Sequence, residues 1–162
     1  MSLQSVRAFF AERAPEIEVV ETPTSSATVA LAAEAHGVET GQIAKTISLR
    51  VGDKVLLVVA GGNARIDNRK FREVFGGKAR MLEADQVLEL TSHPIGGVCP
   101  FGLPSPLPVY CDVSLRAYAE VVPAAGATNA AVRIGVEHLA KLVGAEWCDV
   151  CQDASARAEA AE

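Results

Sequence analysis

The sequence predicts a mixed α/β (α+β) fold in which a mixed β-sheet is flanked by short helices. Some segments repeat apolar residues at the spacing of a helix face, and others alternate them as strands do. The chain has 162 residues, of which 49% are hydrophobic, so it can bury one core without requiring a second. We therefore expect a single domain over residues 1–152 and a flexible, Ala- and Glu-rich tail over residues 153–162.

Five segments carry helical spacing together with residues that start or stop helices. Ser2, Thr24, Ser25, Ser26 and Asp67 are suited to cap N-termini, and Gly37 and Gly76 follow helical segments as C-terminal glycines do. The predicted helices cover residues 2–14, 27–36, 68–75, 84–90 and 136–143.

A β-hairpin is predicted for residues 43–60, with a turn at Gly52-Asp53. Residues 55–59 are apolar at every position, which is typical of a strand buried on both faces. Further strands are predicted for residues 79–82, 109–113, 121–122 with 131–134, and 147–150.

A long segment without periodicity, residues 91–108, separates two of these elements. It contains five of the eight prolines and three glycines. Irregular loops of this length are uncommon in compact domains and often carry function. Gly96-Gly97 allows its backbone to bend sharply and to approach a ligand, so that free N–H groups can bind an anion or a developing oxyanion. The alternative is a Pro-rich turn that only links two elements.

Lys45 is the second unusual feature. On the predicted strand of residues 43–51, it lies on the same face as Ile43, Ile47 and Leu49. Lysine is rarely buried without a partner, because removing its charge from water is costly. Lys45 therefore either extends its amine to water from the strand end or holds a cation at the mouth of a pocket.

Three segments stand in a characteristic order along the chain. They are Ile43-Ala44-Lys45-Thr46-Ile47, the apolar strand of residues 55–60 followed by Gly61, and Gly96-Gly97-Val98-Cys99-Pro100-Phe101-Gly102. Val109-Tyr110-Cys111-Asp112, Gly126 and Glu137-His138-Leu139 follow them. Together, over roughly residues 24–150, they resemble the YbaK/prolyl-tRNA synthetase-associated domain family.

The resemblance implies a partly barrel-like sheet and a trans-editing activity that hydrolyses the ester of mischarged tRNA, often tRNA for proline bearing alanine or cysteine. It implies catalytic roles for Lys45, Gly96, Gly97 and Pro100. We expect substrate-binding roles for Thr46, Val98, Cys99, Phe101 and Asp112; the alternative for Asp112 is a structural polar residue. The partners implied are the aminoacylated acceptor end of tRNA and prolyl-tRNA synthetase. The chain departs from the family at Thr91-Ser92-His93-Pro94, where many members have a Thr-Gly pair, which predicts a reshaped pocket wall.

Composition limits the partners and the compartment. The formal net charge is −5, so any RNA contact is expected to use a small basic patch or a protein partner, and no DNA binding is expected. Neither a membrane span nor a secretory signal is seen, which makes the cytoplasm the expected compartment. No cofactor and no metal are expected, because Gly61-Gly62 does not complete a dinucleotide motif and the cysteines lack zinc-ligand spacing.

Two other functions remain open. The acidic balance is compatible with a non-catalytic module that binds tRNA ends or a synthetase. Trp147-Cys148-Asp149-Val150-Cys151 resembles a thioredoxin motif and leaves a thiol oxidoreductase as the third hypothesis, although almost no chain follows it to build that fold. Cys99 is expected to line the amino acid pocket as a small residue. A nucleophilic cysteine needs a general base beside it, and no sequence signature places one there.

Overall fold

The computed structural model describes residues 2–153, which contain five α-helices and eleven strands. The helices are α1 (Ser2–Arg13), α2 (Val29–His36), α3 (Asn68–Phe75), α4 (Ala84–Thr91) and α5 (Val136–Leu142). The strands are β1 (Val20–Glu21), β2 (Ile43–Val51), β3 (Lys54–Gly61), β4 (Ala64–Ile66), β5 (Arg80–Met81), β6 (Val109–Asp112), β7 (Glu120–Pro123), β8 (Ala130–Ala131), β9 (Ile134–Gly135), β10 (Glu146–Cys148) and β11 (Cys151–Asp153). The predicted tail lies outside the described residues from residue 154 onward.

A curled, mixed sheet of seven strands organises the molecule, in the order β10-β6-β3-β2-β7-β9 with β5 also paired to β2. β2 and β3 form the antiparallel hairpin, whereas β6 runs parallel to β3, and β7 runs parallel to β2. Two small two-stranded sheets, β1-β8 and β4-β11, lie beside it. The predicted mixed α+β fold is confirmed.

The predicted helices are all present, and their ends differ from the predictions by at most two residues. The side chain of Thr28 caps α2 by accepting a hydrogen bond from Leu31 N at 3.1 Å. Asp67 caps α3, as its position predicts. Gly37 and Gly76 have φ values of 66° and 76°, the left-handed conformation that ends a helix.

The buried central strand β3 divides the interior into two main cores. One face of the sheet packs against α1, α5 and the end of the irregular loop, and the other packs against α3 and the β4-β11 sheet. A third, smaller cluster joins α2 to Ile43 and Val122. Within the described residues, no helix is long and apolar enough to cross a membrane.

Two predicted strands are corrected. Residues 131–134 do not form one strand, because β8 pairs with β1 and β9 pairs with β7. The predicted strand of residues 147–150 ends at Cys148, since Val150 N donates to the side chain of Asp112 at 2.8 Å instead of continuing the ladder with β6. The chain then continues as β11, which pairs with β4.

Candidate active site

A gap in the main sheet shapes the candidate site. β3 occupies one edge of β2, while β5 and β7 both pair along the other edge. β7 covers Ile43 and Ala44, and β5 covers Leu49 and Arg50. Between them, residues 45–48 have no strand partner on that edge within the described chain. This interruption leaves backbone groups of β2 available to a ligand.

A cavity of about 250 Å³ opens at this gap. Its lining comes from β2, the start of α2, the irregular loop, the end of β5 and the chain around β7 and β8. The lining residues are Ser26, Ala27, Thr28, Val29, Ala32, Ile43, Ala44, Lys45, Thr46, Met81, Ile95, Gly96, Val98, Val122, Ala124, Ala130 and Ala131. Four residues singled out from the sequence, Lys45, Thr46, Gly96 and Val98, therefore share one cavity.

Thr46 lies in the middle of the gap. Ser48 O accepts a hydrogen bond from Leu82 N at 3.2 Å, so the backbone of Ser48 faces the edge occupied by β5. Alternate residues of a strand direct their backbone groups to the same edge, and Thr46 N–H and C=O therefore face the gap. Its Oγ1 is buried without a hydrogen-bond partner within residues 2–153. Thr46 thus offers three unused polar groups where a buried polar group normally has a partner.

Lys45 lines the same cavity, and its ammonium is held by the chain that follows β3. Nζ donates to Gly62 O at 3.3 Å and also to Ala64 O. Burial lowers the pKa of Lys45, and the positive charge of Arg65 lowers it further, while Cys151 raises it. The side chain is half-buried, so the amine is neither fully in water nor without polar partners. Two carbonyl oxygens hold its charge in one position.

The loop opposite β2 begins with a tight turn. Gly97 N donates to Pro94 O at 2.9 Å, and Gly96 has a φ of 89°, as the third residue of a type II turn requires. A Cβ on Gly96 would lie 2.8 Å from the Cβ of Ala27, so both conformation and space favour glycine here. The N–H groups of Gly96 and Val98 have no acceptor among the described residues, which leaves two donors at the cavity.

The loop residues next to the turn that do not line the cavity face the protein interior. Gly97, Cys99, Pro100 and Phe101 are buried and do not line the cavity. The ring of Phe101 packs on Phe9 and Phe10, with centroid distances of 5.6 and 4.7 Å. This part of the loop anchors the turn to α1.

Cys99 lies beside a histidine but is poorly suited to act as a nucleophile. Its Sγ is 3.5 Å from His93 Nε2, and burial raises the pKa of Cys99 to about 12. His93 is also fully buried, which lowers its pKa, and its Nε2 lies 2.8 Å from Phe101 O. The Nδ1 atom of His93 lies 2.6 Å from Ser2 Oγ. The thiolate is the reactive form, so these contacts favour a structural link between loop and α1.

Asp112 lies away from the Lys45 cavity. It lines a second cavity of about 450 Å³ together with Lys70, Ser114, Tyr118 and others. Its two carboxylate oxygens accept from Ser114 N at 2.9 Å and from Val150 N at 2.8 Å. Although this cavity is larger, its Asp112, Lys70 and Ser114 side chains already bind protein groups. We place the chemistry at the smaller cavity, where polar groups are unused.

Cys148 and Cys151 do not form an exposed redox pair. Cys148 ends β10, Cys151 begins β11, and both side chains are buried. Burial raises the pKa of Cys148 to about 12 and also raises the pKa of Cys151. These surroundings disfavour the thiolate that an oxidoreductase needs.

Comparison with known proteins identifies the family. Residues 24–142 match the aminoacyl-tRNA editing domain. This chain belongs to the aminoacyl-tRNA editing domain family. The uncharacterized protein YwhH of Bacillus subtilis (strain 168) is 50% identical over 155 residues, which cover 94% of this chain and 99% of YwhH. The predicted family resemblance is confirmed.

Two further proteins that are similar to this chain are named for prolyl-tRNA synthetase. A solved crystal structure of a proposed trans-editing enzyme for prolyl-tRNA synthetase has a TM-score of 0.86 and 36% identity, covering 93% of this chain and 97% of that one. The proline–tRNA ligase of Maridesulfovibrio salexigens is 33% identical over 90 residues, 55% of this chain but 15% of the ligase.

The sequence did not point to several cavity residues. Ser26, Ala27, Met81 and Ile95 reach the cavity from distant parts of the chain. The N-terminal signal at Thr28 could have placed the start of α2 near a ligand, but small and apolar side chains such as Ala27 and Met81 carry no chemical signature.

Proposed function

We propose that this protein is a trans-editing hydrolase that deacylates mischarged tRNA, with tRNA for proline carrying alanine, cysteine or another small amino acid as substrate. The observation that carries the proposal is the juxtaposition of Lys45 with the unused backbone N–H groups of Gly96 and Val98 in one cavity. Membership in the editing-domain family and the similarity to prolyl-tRNA synthetase and to its proposed trans-editing enzyme support the choice of substrate.

The chemistry requires little beyond orientation and charge stabilisation. A water oxygen attacks the ester carbonyl carbon and forms a tetrahedral intermediate with a negative oxygen. Collapse breaks the bond to the ribose oxygen, which takes up a proton, and releases the free amino acid and uncharged tRNA. N–H groups of Gly96 and Val98 are available to stabilise the oxyanion. An aminoacyl ester is already activated, so no protein nucleophile is needed, and the ribose hydroxyl next to the ester is suited to activate the water.

Lys45 contributes through its charge. Because two carbonyl oxygens hold Nζ in place, the ammonium can orient the substrate carbonyl or bind the terminal phosphate without first losing its own mobility. Its partly buried position strengthens such a contact, since charges interact more strongly when shielded from water.

The size of the cavity favours a small amino acid. Its volume is about 250 Å³, whereas pockets for drug-sized ligands measure roughly 300–1,000 Å³. Six alanines line it, namely Ala27, Ala32, Ala44, Ala124, Ala130 and Ala131. Methyl groups of this kind leave room for a short side chain and exclude a large one by contact.

We assign the remaining residues to two groups within this proposal. Thr46 and Val98 contact the substrate directly, because both line the cavity. Gly97, Cys99, Pro100 and Phe101 support the turn from behind, because they are buried. Asp112 affects the reaction only by stabilising the fold, since it lies at the second cavity. A tRNA substrate places the protein in the cytoplasm, where it would act alone or beside prolyl-tRNA synthetase.

Hydrolysis of a panel of mischarged tRNAs tests the proposal. We expect wild type to release alanine, cysteine or a similar amino acid from tRNA for proline, and Lys45→Ala to lose activity by at least about tenfold. Lys141→Ala is the matched control, because Lys141 is exposed on α5 and makes no ion pair among the described residues. If wild type cleaves no member of the panel, or if Lys45→Ala is fully active, the proposal fails. Stable tRNA binding without turnover would instead indicate the non-catalytic module.

A further inference from the structure

Charge is distributed very unevenly along the chain. Residues 50–80 contain eight basic and three acidic residues, a net charge of +5, while the whole chain carries −5. The rest of the protein therefore carries −10. The basic segment runs through the end of β2, β3, β4, α3 and β5, so it forms one contiguous part of the fold. A concentration of positive charge on an otherwise acidic protein attracts an anionic partner to that region.

Most of these basic side chains have no acidic partner. Arg69 pairs with Glu73, and Lys70 pairs with Asp149. The other six form no ion pair within the described chain; they are Arg50, Lys54, Arg65, Arg72, Lys78 and Arg80. The acidic residues of the connection to α4 and of α4 itself, among them Glu83 and Asp85, also make no ion pair with them. Their charges are therefore available to a ligand.

Two arginines are placed directly opposite each other. Arg50 of β2 and Arg80 of β5 are register partners in an antiparallel pair, so their side chains project from the same face of the sheet. Like charges at such a pair destabilise the fold, and nothing among the described residues offsets them. Lys78 is brought to the same end of the hairpin by Gly77, whose Cβ position lies 2.9 Å from Val51. We call Arg50, Lys78 and Arg80 the basic surface.

The basic surface adjoins the mouth of the Lys45 cavity. Met81, which follows Arg80, lines the cavity and is 74% exposed. Arg50 lies on the same face of β2 as Thr46, four residues further along, a separation of roughly 14 Å at strand spacing. A nucleic-acid strand that presents its 3′ end to the cavity can therefore pass over this surface.

We propose that the basic surface binds the sugar-phosphate backbone of the tRNA acceptor end and directs its 3′ terminus into the cavity. This inference rests on the proposed function for the identity of the RNA. Arg50 and Arg80 contact phosphates and are positioning residues, because they lie away from the ester. Phosphate contacts fix register without reading bases, which suits an enzyme whose cavity examines the attached amino acid.

Binding of an uncharged, fluorescein-labelled acceptor-stem minihelix, followed by anisotropy across a salt series, tests the surface without requiring hydrolysis. Arg50→Gln/Arg80→Gln should weaken binding about tenfold and reduce the slope of log affinity against log salt by about 1 for each arginine. Arg50→Lys/Arg80→Lys should retain most of the slope, because lysine also binds phosphate. Arg13→Gln/Lys141→Gln removes the same charge from α1 and α5, outside the basic segment, and should leave the slope unchanged.

The outcomes separate this inference from the proposed function. Because the glutamine pair relieves a like-charge contact, thermal unfolding should show no loss of stability, which excludes misfolding as the cause of weak binding. If the two glutamine pairs weaken binding equally, or if neither does, the basic surface is overturned. Minihelix binding that depends on Arg50 and Arg80 in a protein that cleaves no charged tRNA would support the surface and overturn the hydrolase. With charged tRNA, the effect of Arg50→Gln/Arg80→Gln should lie in KM and its salt dependence more than in kcat.

Discussion

Two hydroxyl groups on the same face of β2, those of Thr46 and Ser48, are buried without a hydrogen-bond partner within residues 2–153. Only Thr46 lines the cavity. A buried polar group without a partner costs stability, so its persistence at the cavity is consistent with a ligand that completes the hydrogen bond. Ser48, two residues away, provides a comparison within the same strand.

Replacing Thr46 by valine separates a role in binding from a role in folding. Valine keeps the shape and removes the unsatisfied hydroxyl, so the free energy of unfolding should stay within about 0.5 kcal/mol or increase. We expect kcat/KM for deacylation to decrease about tenfold, since a lost hydrogen bond is worth roughly 1 kcal/mol or more. Ser48→Ala should alter neither quantity by a comparable amount. Equal losses of activity in both variants would contradict a direct role for Thr46.

The environment of Lys45 leads to a prediction about its titration. Burial lowers the pKa of Lys45, whereas the hydrogen bond to Asp149 raises the pKa of Lys70. After reductive methylation with ¹³C-formaldehyde, NMR should show Lys45 titrating at lower pH than Lys70. Lys45→Arg and Lys70→Arg assign the two signals. Signals of Lys45 and Lys70 that titrate together would contradict the prediction.

The sign of the linked stability effect follows from the same shift. Between the lowered pKa of Lys45 and the ordinary lysine value of about 10.4, the unfolded chain binds more protons than the folded chain. The Lys45 contribution to stability therefore rises with pH in this window. Any function that needs the ammonium is lost over the same window, so activity and stability should change in opposite directions.

At the scale of elements, Asp112 connects three parts of the fold. It ends β6, accepts from Ser114 N in the following 3-10 helix, and accepts from Val150 N in the connection between β10 and β11. Asp112→Ala leaves two backbone N–H groups without this acceptor, and we expect a loss on the order of 3 kcal/mol in urea unfolding. Asp112→Asn retains one acceptor oxygen and should lose less. If Asp112 binds substrate directly, kcat/KM at a temperature where the variants remain folded would fall as well, which would contradict our placement.

The elements that were predicted from the sequence are those with strong local signals. The β2–β3 hairpin follows from alternation around Gly52-Asp53, and α3 follows from its cap at Asp67. The end of α2 follows from Gly37, whereas its N-cap is Thr28 and not the predicted Thr24, Ser25 or Ser26. β1 and β4 have only two or three residues, too few to show a period, and depend on partners far away in the sequence. The gap in the sheet could not be predicted from the sequence either, because it depends on where the pairings of β5 and β7 with β2 end.

The loop of the candidate site was also predicted only in part from the sequence. Lys45 and the turn at Gly96 stand out in the sequence because Lys45 interrupts an apolar strand face and Gly96 belongs to a loop without periodicity. An extended chain presents alternate residues to opposite sides, and the structure places Gly96 and Val98 at the cavity but Cys99 and Phe101 in the core. Which side faces the cavity depends on α1 and cannot be read from the loop alone.

For the molecule as a whole, the net charge does not show how positive and negative residues are distributed along the chain. A net charge of −5 led to the expectation that RNA contact would be confined to a local patch. Residues 50–80 carry a net charge of +5, and under our proposal the acidic remainder disfavours nucleic acid elsewhere on the protein. The distribution of charge therefore concerns where a nucleic acid would bind, whereas the cavity concerns which chemical group it would receive.

At the interrupted edge of β2, the polar groups that can bind a ligand and the side chains that limit its size come from different parts of the structure. The polar floor is built largely from main chain, so its donors stay in place whatever side chains surround it. The walls are methyl groups on α2 and β8, including Ala32 and Ala131. Exchanging one of these alanines for a larger residue would narrow the cavity and leave the main-chain donors of its floor in place. Under our proposal, such exchanges would change which amino acid fits without changing the groups that act on the ester.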